Sequence, residues 1–261
     1  KSFYESGLPG FFGGIILSFG FCLYVFAMYN TTVANTNFII SLQILFWRSL
    51  FFTLTVLIFL IISYKKQTFK SFYNSGLPGI FGGIILSFGF CGYVFAMYNT
   101  TVANTNFIIS LQILFLAIFG YFFLKEKIST ITLISIILAI TGVLLMVGNS
   151  LTPGELSGNL AAFTMPISFA VLIMIVRKYP TVDMIPAQFV AGVCSCLIGF
   201  ILSTKIMVSP HDIFLGFLAG FFQVGFGFIF ITIGARTTPS AMVGIIMLSE
   251  SVLGPVWAFL F

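Results

Sequence analysis

Apolar residues fill this chain in stretches of about twenty, and short segments holding most of the charges separate them. A helix needs about twenty apolar residues to cross the hydrocarbon core of a bilayer. Strands of a membrane barrel would show about ten residues of alternating polarity, and these stretches do not alternate. The pattern predicts about nine helices, at residues 8–29, 33–63, 77–98, 102–123, 129–147, 157–176, 184–203, 211–233 and 239–261.

The second stretch is longer than one crossing needs, and Arg48 lies near its middle. One long tilted helix is one interpretation. The other places a break near Trp47, a crossing at about 46–63, and Arg48 as an anchor at the outer interface. We favour the break, because an arginine at mid-membrane costs several kcal/mol unless it reaches the surface or a partner.

The composition excludes a water-facing surface. Hydrophobic residues make up 59% of the chain, charged residues make up 7%, and mean hydropathy is +1.17, whereas about a quarter of the residues of a soluble domain are charged. In lipid every backbone N–H and C=O needs an internal partner, which helices supply. We therefore predict an all-α, polytopic transmembrane helix bundle whose partner is the lipid bilayer.

The basic residues indicate an orientation. The net charge of +5 is concentrated in short loops between spans, a pattern typical of cytoplasmic membrane loops and not of nucleic-acid binding. If the spans alternate, these loops share one side. We expect an integral protein of a bacterial inner membrane, with cytoplasmic loops that carry Lys65, Lys66, Lys70, Lys125, Lys127, Arg177, Lys178 and Arg236.

Two internal repeats differ in kind. Residues 1–46 recur at 70–115 with three substitutions, which indicates a recent duplication or a chimera. The second repeat is faint: residues 74–124 align with 211–261 without a gap and would run in the opposite direction across the membrane, as in many transporters. Its identical pairs include Gly79 with Gly216, Gly83 with Gly220, Thr100 with Thr237, and Thr101 with Thr238.

Several motifs resemble one family. The stretch from Thr100 to the turn at Lys125-Glu126-Lys127 resembles the fourth helix of EamA-like members of the drug/metabolite transporter superfamily. Residues 130–146 are similar to its fifth helix, 248–258 to its ninth, and Trp47-Arg48-Ser49 to the start of its second. The resemblance covers about 47–261 and implies ten helices in two five-helix, inverted-topology repeats.

That resemblance implies a division of the chain. Residues 1–46 form the duplicated segment in place of the first helix. Residues 47–148 form the first EamA-like repeat. Residues 157–261 form the second repeat, which we expect to be truncated at its C-terminus with the tenth helix missing.

Glu250 is the main candidate for a site. A carboxylate within an apolar helix faces a bundle interior or a wet cavity, and Ser249 and Ser251 flank it. Substrate binding or proton coupling is one interpretation, and a carboxylate that joins helices is the other. Amide and phenol side chains elsewhere have the same two interpretations, since they either bind a substrate or form hydrogen bonds that link helices. These further candidates are Tyr93, Asn104, Asn106, Gln112 and Gln223.

These features favour a secondary transporter that moves small polar metabolites, such as amino acids, by alternating access, driven either by protons or by the gradient of a substrate. A non-transporting membrane fragment or subunit is the alternative, followed by an intramembrane enzyme on lipid-linked substrates. We expect no enzymatic activity, cofactor or metal, because the chain has one histidine and six acidic residues and little material for acid–base chemistry. A homodimer is one expected assembly.

Overall fold

The computed structural model describes residues 38–128, 130, 133–134, 136–138, 140–141, 156–203 and 206–248. Every regular element in this part of the chain is helical. The helices are α1 (Phe38–Tyr64), α2 (Thr68–Asn99), α3 (Val102–Ser110), α4 (Gln112–Leu124), α5 (Leu156–Ala162), α6 (Thr164–Lys178), α7 (Ile185–Leu202), α8 (Pro210–Phe217), α9 (Gly227–Ala235) and α10 (240–248). A short 3₁₀ turn, Lys65–Gln67, joins α1 to α2, and a π-helical segment, Leu218–Phe226, joins α8 to α9.

Five helical stretches are long and apolar enough to cross a membrane. The first, Leu42–Asn99, has 58 residues, far more than the roughly 20 that one crossing needs, and it contains most of α1 and all of α2. The predicted transmembrane bundle is confirmed. Six predicted spans coincide with described helices, whereas 8–29 and much of 129–147 and 239–261 lie outside the described residues, so the count of nine stays a prediction.

Helix α1 runs without interruption from Phe38 to Tyr64, so the predicted break near Trp47 is wrong. The segment contains neither glycine nor proline, and a helix rarely kinks without one of them. Arg48 also does not lie exposed at an interface. It is 6% exposed, because its side chain points into the bundle.

Helix α2 begins nine residues before the predicted start at 77, and it bends sharply at Gly76. Gly76 has a φ of +53°, which glycine adopts at little cost. Pro78 follows, and its ring would clash with the carbonyl four residues earlier in a straight helix. The bend separates a short N-terminal part, 68–75, from the membrane-spanning part.

The four basic segments meet at one end of the bundle, hereafter the basic end. Ser71 on α2 contacts Asp183 in the α6–α7 loop, and Glu126 after α4 contacts Arg177 at the end of α6. At the opposite end, Thr100 contacts Asn159 on α5. The prediction that these loops share one side is thus consistent with the contacts.

Glycines let α2 and α6 approach closely. A Cβ built on Gly92 would lie 1.8 Å from Thr164 Oγ1, and one on Gly89 would lie 2.9 Å from Ser168 Cβ. Small residues at such contacts allow the backbone-to-backbone approach that stabilises helix pairs in lipid.

Two further glycine contacts mirror each other. Gly83 on α2 lies against α7, where an added Cβ would be 2.5 Å from the Ala187 carbonyl oxygen. Gly220 in the π-helical segment lies against α1, where an added Cβ would be 2.3 Å from the Arg48 carbonyl oxygen. The glycines aligned by the faint repeat therefore make equivalent helix contacts.

The duplicated segment supplies a test of the α2–α6 contact. Residue 92 is glycine, whereas its counterpart in the first copy is Leu23. We expect Gly92→Leu to lower stability by about 1–3 kcal/mol, the usual cost of overpacking, because Thr164 and the Ala161 carbonyl would have to move. Thermal unfolding of the detergent-solubilised protein measures this loss.

Ile80→Phe is the matched control, since it copies Phe11 of the first copy at a position that is 47% exposed. It should leave the unfolding temperature unchanged. Equal effects of the two substitutions would contradict the packing described for Gly92.

Candidate functional site

The basic end is held together by Glu126, which follows α4. Its Oε1 accepts hydrogen bonds from Nε and Nη2 of Arg177 at 2.8 and 2.6 Å, and its Oε2 accepts one from the Ser240 backbone N–H at 2.8 Å. Ser240 begins α10, and a carboxylate at a helix N-terminus also interacts favourably with the helix dipole. Glu126 therefore joins three segments of the chain.

A second ion pair lies beside the first. Arg236, after α9, pairs with Asp183 between α6 and α7. Asp183 also accepts hydrogen bonds from the Ile185 backbone N–H at 3.2 Å and from Ser71 Oγ at 3.3 Å. Arg177 Nη1 reaches the Arg236 carbonyl oxygen at 3.2 Å, which connects the two pairs.

The burial of these ion pairs affects how much they contribute to stability. The side chains of Arg177 and Glu126 are 19% and 16% exposed, and those of Arg236 and Asp183 are 25% and 13% exposed. Ion pairs in such partly desolvated positions are screened less than pairs on an open surface. At the basic end the Glu126–Arg177 pair thus links the first half of the chain to the second, and the Asp183–Arg236 pair links two segments of the second half.

Arg48 lies away from this end, inside the bundle. Its guanidinium carbon is 5.6 Å from the ring centroid of Phe90 and 5.6 Å from that of Tyr93, both on α2. An aromatic face attracts a cation, more strongly where water is excluded. Arg48 and Tyr93 accordingly form a buried, cationic and aromatic site between α1 and α2.

Aromatic rings extend from this site into the core. Phe90 makes edge-to-face contacts with Phe52 at 5.6 Å and with Phe228 at 5.4 Å, and Phe228 also meets Phe169 at 5.7 Å. These side chains come from α1, α2, α6 and α9. The rings of α1 and α9 therefore hold Phe90 in place, and Phe90 in turn contacts Arg48.

Tyr93 is the predicted residue that the structure brings to this site. It is 8% exposed and packs under Arg48. Asn104 is buried as well, but its side-chain nitrogen donates to Thr100 Oγ1 at 3.1 Å and to Asn159 Oδ1 at 3.5 Å. Asn104 thus links α3, α2 and α5 at the opposite end.

The other predicted site residues are more scattered. Gln112 at the start of α4 and Gln223 in the π-helical segment are buried, and Asn106 is half-buried. π-helical turns often occur at functional sites, which makes Gln223 notable. Glu250, Ser249 and Ser251 lie outside the described residues.

Sequence reasoning missed two features of this arrangement. It noticed Arg48 as a charge in an apolar stretch but assigned it to an interface. It treated Glu126 only as part of a turn, although the basic residues in every other loop at that end gave a carboxylate there several cationic partners to meet. The positions of the charged residues along the chain were therefore the information from which a buried Arg48 and a paired Glu126 could have been predicted.

Residues 37–148 match the model of the EamA-like transporter family. They carry an EamA-like domain. This domain contains Arg48, Tyr93 and Glu126, so it holds the aromatic site and the carboxylate of the first ion pair. The suspected family is confirmed for this segment.

Two relatives extend the comparison. An uncharacterized transporter of Methanothermobacter thermautotrophicus is 26% identical over 180 residues, which cover 62% of this chain and 50% of that protein. The match thus spans about half the length of the relative. A solved crystal structure superposes with a TM-score of 0.75 over 98% of this chain and 88% of that one, at 16% identity, and at that identity the likeness concerns the fold.

A double-mutant cycle tests whether the EamA-like domain is tied to the second half through Glu126. We expect Glu126→Gln and Arg177→Gln each to lower the free energy of unfolding, with a coupling of about 1–2 kcal/mol between them, above the ~0.5 kcal/mol typical of exposed pairs. Unfolding by sodium dodecyl sulfate in mixed micelles measures all four proteins.

The control cycle combines Lys127→Gln with Arg177→Gln, because Lys127 is the exposed neighbour of Glu126. Its coupling should be near zero. A coupling between Glu126 and Arg177 no larger than that of the control would contradict an energetic role for the pair.

Proposed function

We propose that the protein is a secondary transporter that moves small polar metabolites, such as amino acids, across a membrane by alternating access. The EamA-like domain, the apolar helices and the named relative support a membrane transporter. The observation that carries the finer proposal is Arg48, a cation 6% exposed within membrane helices. Ionisable groups in such positions are costly and mark pathways for substrates or ions.

The chemistry of Arg48 suits a carboxylate. A guanidinium offers five N–H donors in a planar fork that matches a carboxylate with two parallel hydrogen bonds. The rings of Phe90 and Tyr93 on α2 hold the guanidinium plane of Arg48. These apolar rings also exclude water that would compete for the guanidinium. An amino acid would present its carboxylate to Arg48 and its side chain to the surrounding rings.

The mirrored glycine contacts support the proposed movement. In the first half, Gly83 on α2 packs against Ala187 on α7, and in the second half Gly220 packs against Arg48 on α1. Two inverted repeats with equivalent contacts can exchange conformations, which opens the central site to one side and then to the other. Arg48 lies at one of these contacts, so movement of the π-helical segment along α1 would change its surroundings.

The two ends would then act as alternating closures. At the basic end, the Glu126–Arg177 pair and the Ser71–Asp183 hydrogen bond join the two halves, and the Asp183–Arg236 pair joins two segments of the second half. At the opposite end the described link is neutral, from Thr100 to Asn159 at 2.8 Å. The basic loops would face the cytoplasm by the positive-inside rule, so the described conformation is closed on that side.

Substitution of Arg48 tests the carboxylate. Arg48→Met should lower the transport of amino acids in proteoliposomes by roughly thirtyfold or more, the scale of losing one partner of a buried charged contact. Arg48→Lys should keep part of the rate, because it retains the charge but loses the planar fork. Counterflow of labelled amino acids from a panel measures the rates.

Decarboxylated amines with the same side chains are the matched substrate control. These amines should compete poorly with the amino acids for transport by the wild-type protein. Arg48→Met should not weaken their competition further. Transport at the wild-type rate by a folded Arg48→Met protein would remove Arg48 from the site.

Glu250 is proposed as a coupling or substrate-binding carboxylate on the strength of its sequence position. We expect Glu250→Gln to abolish the response of transport to an imposed proton gradient, because an amide cannot exchange a proton. Asp212→Asn, at the first turn of α8, is the control and should respond as the wild type does. An unchanged response in Glu250→Gln would exclude the coupling role.

A further inference from the structure

The short helical part of α2 before the Gly76 bend has two different faces. On one face, Ser71 Oγ donates to Asp183 at 3.3 Å and the Phe72 ring meets Phe189 at 5.2 Å, edge to face. On the other face, Phe69 and Tyr73 are 89% and 86% exposed. These two residues are four apart in a helix, so they form a short apolar stripe, and Leu77, just after the bend, is 80% exposed.

Lysines accompany this stripe. Lys65, Lys66 and Lys70 are exposed, and segment 65–76 contains no acidic residue. Among the described residues, none of the three ammonium groups lies in an ion pair with a carboxylate. The segment thus combines uncovered aromatic rings with three cations.

Connectivity places this segment at the edge of the bilayer. It follows the membrane helix α1, which ends at Tyr64, and precedes the spanning part of α2. Exposed apolar residues continue from it into both spans, at Ile61 and Ile62 before it and at Phe81 after it. Aromatic side chains are enriched at this level of a membrane, and lysines extend from it towards the headgroups.

We infer that residues 65–77 form a binding surface for anionic phospholipid. Phe69 and Tyr73 insert between acyl chains at the boundary, while the three lysines contact phosphate and other acidic headgroup oxygens. A basic amphipathic segment binds in this way, with a strength that depends on buried apolar area and on lipid charge. Ser71 holds the segment against the α6–α7 loop and Phe72 holds it against α7, so the surface is presented in a fixed orientation.

The test is lipid retention by the full-length protein in mild detergent. Equal amounts of phosphatidylglycerol and phosphatidylcholine with identical acyl chains are added, and native mass spectrometry counts each bound lipid. We expect Lys65→Gln/Lys66→Gln/Lys70→Gln to lower the ratio of bound phosphatidylglycerol to phosphatidylcholine by roughly tenfold or more.

The control is Lys125→Gln/Lys127→Gln/Lys178→Gln, which removes three exposed lysines from other loops of the basic end. It changes the formal net charge equally, from +5 to +2 by subtraction of three, and should leave the ratio within twofold of the wild type. Equal falls in the two triple variants would overturn the inference, because they would reflect net charge and not this surface.

Two smaller changes test the parts of the surface separately. Asn74→Glu introduces the acid that the first copy carries as Glu5 and should lower the preference for phosphatidylglycerol while every lysine remains. Phe69→Ser/Tyr73→Ser should lower retention of both lipids. If that double variant instead loses self-association and keeps its bound lipids, the face binds protein and the inference fails.

Discussion

Hydrocarbon does not solvate an ionised side chain, and this constraint determines where each charge of the described bundle lies. Glu126 pairs with Arg177 and Asp183 pairs with Arg236 at one end of the bundle. Arg48 lies away from that end, and the rings of Phe90 and Tyr93 lie against its charge. The relative positions of α1, α2, α6 and α7 thus follow from where a few ionised groups can be accommodated.

Close packing supplies the rest of the cohesion, because lipid gives apolar helix faces no reason to associate with each other. Gly83 and Gly220 bring one half of the chain against the other, and both do so at a backbone carbonyl. A side chain also packs at each contact, Val190 at Gly83 and Phe51 at Gly220. Both interfaces hold two helices at a short distance, and the proposed exchange of the two repeats would have to shift these contacts.

The spans were predictable from sequence because length and apolarity are local properties. The positions of the basic loops were predictable for the same reason, once the spans were assumed to alternate. The site was only partly predictable, since nothing near Arg48 in the sequence indicates that Phe90 and Tyr93, more than forty residues away, lie beside it. The break expected at Trp47 failed because the cost of a buried arginine was assessed without those rings. The bend at Gly76 was visible as a glycine and a proline in sequence but was placed outside the helix.

The near-exact duplication shows how little sequence is needed to specify one helix contact. Copies 1–46 and 70–115 differ at three positions, and the second copy is exposed to its surroundings at two of them, Asn74 and Ile80. The third, Gly92, is the position where α2 approaches Thr164 on α6. A copy with leucine there cannot approach α6 to the same distance, because even a Cβ atom would overlap the threonine. Leucine at position 92 would therefore keep α2 from reaching its present distance from α6, so the contact depends on a single glycine of the duplicated sequence.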